Sequence, residues 1–155
     1  MSVPSRKTRE CSINDLRPEI VSAIREHAEL YKLGNIETNL LICCETTSTE
    51  KKGGFFNSGS ETTIGVVLLA PEWLIVAAKR GNEEPAIISG QLRNIQVHNF
   101  EDSAMFKINP DAGLNITGRY SDVTKQGMAF IGLGPEPAAQ KFRQVLREAI
   151  EKVGH

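Results

Sequence analysis

TTIGVVLLAPEWLIVAAKR, residues 62–80, sets two β-rich runs, 62–69 and 73–79, on either side of Ala70, Pro71 and Glu72. Branched and aliphatic side chains suit extended backbone, and so short a connection makes the two runs antiparallel neighbours. Downstream, Gly81 and Asn82 supply a turn. Residues 86–89 and 95–100 then read as one strand bent near Gly90, or as two short ones. Met105, Phe106 and Ile108 precede the turn cluster 109–113 and a strand over 114–120, which predicts a second hairpin. MAFIGL, 128–133, gives a last strand, and upstream the apolar residues 40–44 with the threonines after them give the first. The tally is about seven strands.

Two amphipathic helices flank these strands. Pro135 and Pro137 sit at the start of the second, and Ala138, Phe142, Val145, Leu146, Ala149, Ile150 and Val153 form its apolar stripe. Lys141, Arg143, Arg147, Glu148, Glu151 and Lys152 are assigned to its water-facing side, and Gly154 ends it. A sheet is expected to receive the stripe. The first helix belongs to 12–34, with Ile20, Ile24, Ala28 and Tyr31 at helical spacing, Ser12 and Asp15 in a capping arrangement, Pro18 in the first turn and Gly34 as the stop. Residues 1–11 lack periodicity and read as a flexible leader, leaving 36–155 as a β domain with its C-terminal helix.

Composition narrows the function. A chain of 155 residues has the size of one domain. Its 18 Lys and Arg against 19 Asp and Glu leave no global field to attract nucleic acid. No apolar run nears the roughly 20 residues of a membrane span, and no signal segment follows the N-terminal basic residues, so a cytoplasmic chain is expected. Cys11, Cys43 and Cys44 have no metal-ligand spacing, neighbours on a strand point to opposite faces, and all three read as reduced thiols. His27, His98 and His155 show no paired spacing, and no motif supplies Cys43 with a base. Gly132 and Gly134 precede a helix, but Pro135 and Pro137 remove amides that a phosphate cradle uses, so the run reads as a strand-to-helix turn. No enzyme, cofactor or metal is expected.

The stretch IGVVLLAPEWLIVAAKR (64–80), followed by GQLRNIQVHNF (90–100), resembles the strand pair and next strand of bacterial pleckstrin-homology-like and GRAM-like modules. The resemblance covers about residues 36–153, and it rests on apolar pattern, with no invariant signature. It implies a mainly β fold: a seven-stranded antiparallel barrel or sandwich capped by a C-terminal α-helix. The N-terminal helix is then an addition, packed outside or kept for a partner. It also implies binding of phosphoinositides, peptides or proteins, with self-association common in bacterial forms.

Residues placed for such contacts are Lys51 and Lys52 after the first strand, Phe55 and Phe56 in the same loop, and Lys79 and Arg80 at a neighbouring hairpin end. The cations are too few for a specific inositide grip, since exposed contacts are weak and salt-screened. Core or partner packing is the preferred reading of the phenylalanines. The expected function is a non-enzymatic binding or assembly module that acts through a protein partner or a homo-oligomer. The alternatives are peripheral binding of anionic lipid through the loop 50–60 and binding of a small molecule.

Overall fold

The deciding hairpin forms where the sequence puts it: β3 Ser60–Leu69 and β4 Trp73–Arg80 pair antiparallel, with Leu69 opposite Leu74 and Thr63 opposite Arg80. The Ala70 amide donates to the Trp73 carbonyl at 2.9 Å and closes the turn. In this computed structural model the described residues are 4–51, 60–121 and 126–154. They also form β1 Ser5–Glu10, α1 Pro18–Leu30, β2 Ile42–Lys51, β5 Ala86–Gln91, β6 Ile95–Asn99, α2 Met105–Ile108, β7 Gly113–Gly118, β8 Gly127–Gly132 and α3 Pro137–Val153.

The strands make two antiparallel sheets, one in the order β1-β2-β3-β4-β5 and one in the order β6-β7-β8. Neither sheet joins the other at an edge among the described residues, so there is no closed barrel. The central strands of the larger sheet are buried on both faces. Cys44, Val67, Leu69 and Leu74 point into a core shared with Leu114 and Ile116 of β7 and Phe142 and Leu146 of α3. Cys43, Val66, Leu68, Ile75 and Ala77 point the other way, against Ile20 and Ile24 of α1. Side chains alternate across a strand, so a strand covered on both sides must be apolar at consecutive positions. VVLL and LIVAA meet that requirement.

Several expectations change. The leader assigned to 1–11 contains β1, paired with β2 from Ser5 opposite Thr49 to Glu10 opposite Cys44. Its polar residues hid it, because an edge strand needs only one buried side chain, here Thr8. The segment 86–100 is two strands in different sheets, separated by a 3-10 turn, Leu92–Asn94. Residues 105–108 form the single helical turn α2, so no hairpin precedes β7, whose partners are β6 and β8. Met105 and Ile108 are exposed, and the aliphatic alternation there reports no half-buried strand.

In α3 the stripe is buried as expected at Phe142, Leu146 and Ala149, but Ala139 lies deeper than Ala138, and Arg143 is buried. Ser12 and Asp15 do interact, the Asp15 carboxylate accepting from the Ser12 amide at 3.0 Å, yet they close the 3-10 turn Ile13–Asp15 rather than open α1. These bonds hold the Asp15 carboxyl below its ordinary range. The first helix itself runs from Pro18 and is followed by Lys32 and Gly34 at φ of 56° and 79°. At Gly34 glycine carries that left-handed backbone without strain.

Candidate functional site

The seam between the two sheets is open beside β8. A cleft of about 390 Å³ lies there, floored by Thr63 and Gly65 of β3 and by Ala78 and Arg80 of β4, and walled by Phe130 of β8 and by Arg6. Small residues make the space: along this face of the large sheet the bulky core of Val67 and Leu69 gives way to Gly65 and Thr63.

Arg6 closes one end. Its Nε and Nη2 donate to Asp111 Oδ1 and Oδ2 at 2.9 and 2.6 Å, and Nη1 donates to the Ser48 hydroxyl. The guanidinium also lies 5.4 Å from the Phe130 ring centroid. A bidentate pair of this kind fixes the plane of the guanidinium and uses its charge internally, so the cleft offers no free cation at Arg6. Gly132 makes the arrangement fit, since a Cβ there would fall 2.4 Å from Arg6 Cζ.

The strand beside the cleft has an unpaired side. β8 is an edge of its sheet, and the Leu133 amide donates to the Ala112 carbonyl at 3.0 Å, which fixes the phase of the ladder. In an antiparallel pair the bonded positions alternate. Leu133, Ile131 and Ala129 therefore turn their polar backbone groups toward β7, while those of Met128 and Phe130 point away from it. No backbone partner meets them among the described residues.

The side chains on this edge are apolar. Met128 is 67% exposed and Phe130 38%. Phe130 meets Phe100 edge to face at a centroid distance of 5.1 Å, and Phe100 meets Phe106 of α2 at 6.4 Å. The helical turn α2 is thus fastened to the outer face of the small sheet by three aromatic rings, with Met105 and Ile108 exposed on the same turn.

The residues singled out from sequence do not converge here. Lys51 ends β2 opposite Ser60, and Lys52, Phe55 and Phe56 lie outside the described residues. Lys79 and Arg80 follow one another on β4 and face opposite sides of the sheet. Lys79 donates to the Gly81 carbonyl at 3.2 Å and stands 3.8 Å from Glu19 of α1, while Arg80 lines the cleft and pairs with Glu61 at 2.9 Å. Among the described residues, both cations have carboxylate partners.

One contact escaped the sequence reading: His27 Nε2 lies 2.7 Å from Ser89 Oγ, which lies 2.6 Å from Ser121 Oγ. Ser121 Oγ also donates to the Ser89 carbonyl at 3.2 Å. Ser89 is fully buried, and the chain of bonds fastens α1 to β5. His27 and Ser89 are 62 positions apart, which no local motif records.

Among the described residues no group of three or more His, Cys, Asp or Glu is placed to hold a metal ion, and no helix is long and apolar enough to cross a membrane. The cleft lining contains neither His nor Cys. No family model matches the chain, and no curated protein matches it either.

Proposed function

We propose that this chain is a non-enzymatic assembly module, of pleckstrin-homology-like order, that associates with a second copy of itself through the open edge of β8. The carrying observation is the combination of outward backbone groups at Met128 and Phe130 with exposed apolar side chains at the same positions. An unpaired strand edge binds another strand by main-chain hydrogen bonds, and alternate side chains supply the selectivity.

A second copy suits this edge for two reasons. Two β8 strands related by a two-fold axis present the same groups to each other, which is the requirement of an isologous interface. A net charge of −1 gives two copies little reason to repel. The order of elements supports the family reading: after α1, four strands of one sheet are followed by three of another and then by a C-terminal helix.

The test is mass in solution against concentration. Wild type is expected to move from monomer toward dimer, and Met128→Pro to stay monomeric. The Met128 amide points away from β7, so proline there removes an outward donor and no ladder bond. A wild type that stays monomeric throughout, or a Met128→Pro variant that dimerises as well as wild type, overturns the reading.

The cleft favours a second use, binding of a small molecule. Its volume lies within the range of ligand sites, roughly 300–1,000 Å³. A co-purified compound lost on Gly65→Leu would establish that use, and a cleft empty of any co-purified compound would count against it.

A further inference from the structure

Two thiols meet where β1 runs out. Glu10 stands opposite Cys44 in the ladder, and one residue further the Cys11 amide donates to the Cys43 carbonyl at 3.0 Å. Cys11 and Cys43 are therefore direct cross-strand neighbours, and both belong to the layer that α1 covers. Their Sγ atoms are 3.7 Å apart. Opposed residues of a hydrogen-bonded antiparallel pair hold their Cα atoms about 5.5 Å apart, inside the span that a disulfide bridges. Cys44 is on the other face, in the core with Phe142, its Sγ 3.9 Å from the Ala138 carbonyl.

The two neighbours differ in the way a reacting pair should. Cys11 is half-buried and Cys43 is 4% exposed. The Cys43 thiol, donating to the Cys11 sulfur, lowers the Cys11 thiol from its ordinary value; desolvation opposes this, and the Arg9 guanidinium assists. The same bond and burial push the Cys43 thiol up. Burial pushes the Cys44 thiol up to about 12. A thiolate is the reactive form, so the reachable sulfur is also the nucleophilic one.

We propose that Cys11 and Cys43 form a peroxide-oxidised modification site that closes to a disulfide. The Cys11 thiolate attacks one oxygen of a hydroperoxide, the O–O bond breaks, and Cys11 becomes a sulfenic acid while hydroxide or alkoxide leaves. Cys43 then gives up its proton, its sulfur attacks the Cys11 sulfur, and the S–O bond breaks with release of water. For hydrogen peroxide the balance is two thiols and one peroxide in, one disulfide and two waters out; two electrons pass from sulfur to oxygen. The bond ties the end of β1 to β2 and closes the loop that carries α1, its ends 32 residues apart.

The experiment treats the full chain with a small excess of hydrogen peroxide, alkylates the remaining thiols under denaturing conditions and maps the peptides. The expected result is a Cys11–Cys43 bond with Cys44 alkylated, reversed by dithiothreitol, and a rise in melting temperature on oxidation. In Cys43→Ala, Cys11 is expected to accumulate as a sulfenic acid trapped by dimedone, and its alkylation is expected to need a higher pH than in wild type. The proposal is overturned if all three thiols stay free, if Cys11 ends as a sulfinic acid or bridges two copies, or if Cys44 takes part. Should Cys43→Ala not fold, the wild-type peptide map alone decides.

Discussion

Arg143 shows what one residue can conceal. Helical periodicity places it with the charged side chains of α3, yet it is buried, with Nη2 donating to Glu101 Oε2 at 2.9 Å and Nη1 to Asn99 Oδ1 at 2.9 Å. Its Nε has no hydrogen-bond partner among the described residues. The two partners of the ion pair are unequally exposed, 10% for the Arg143 side chain and 37% for Glu101. Removing Glu101 leaves a largely desolvated cation behind, whereas removing Arg143 leaves a carboxylate that water reaches. Glu101→Ala is therefore expected to cost about 1–3 kcal/mol in urea unfolding, and Arg143→Met less, since its chain still fills the space. The reverse ranking would show that packing of the Arg143 stem outweighs its charge. Sequence could not reveal the pair, because Glu101 sits in the 3-10 turn Phe100–Asp102, 42 residues away.

Among the strands, β1 is the one that sequence reading lost, and its reason for existing is polar. Thr8 Oγ1 accepts from the Gly134 amide at 2.8 Å and lies 2.8 Å from Thr46 Oγ1, while the Thr8 amide donates to Glu136 Oε1 at 2.7 Å. One threonine thus joins the edge of the large sheet to the entry of α3. Thr8→Val keeps the shape and leaves the buried Gly134 amide unpaired, at an expected loss of about 1–3 kcal/mol. Lys7→Ala, one residue away and exposed, is expected to change stability by no more than about 0.5 kcal/mol, both read by the urea midpoint. Equal effects would mean that β1 matters only as a backbone ladder. The strands with strong apolar pattern, β3, β4 and β8, were legible for the opposite reason: their evidence is in their own side chains. The β8 edge and the cleft were not, since Arg6, Asp111 and Phe130 meet only after the two sheets have stacked.

At the scale of the whole molecule, the large sheet stands between two apolar layers that draw on the same strands. Cys43 and Cys44 are adjacent residues in different layers. A side chain removed from either layer loosens strands that hold the other. Ile24→Ala, under α1, is expected to cost about 2–5 kcal/mol and to lower a single calorimetric transition without splitting it. A separate early transition for α1 would show that the helix is an independent appendage. The sequence reading left α1 either packed outside or free for a partner; the fully buried Ile20 and Ile24 place it on the sheet. Removing it would uncover Val66, Leu68 and Ile75, so a shortened chain is a poor probe of assembly.

The order of synthesis puts a demand on β1. It leaves the ribosome before β2 exists, and the chain must make α1 first, whereas β2 to β5 close neighbour on neighbour as they emerge. Local pairings form early and distant ones late. A segment that waits for its partner risks sticking to other nascent chains if it is greasy. SRKTRE is polar and runs little of that risk while it waits for β2.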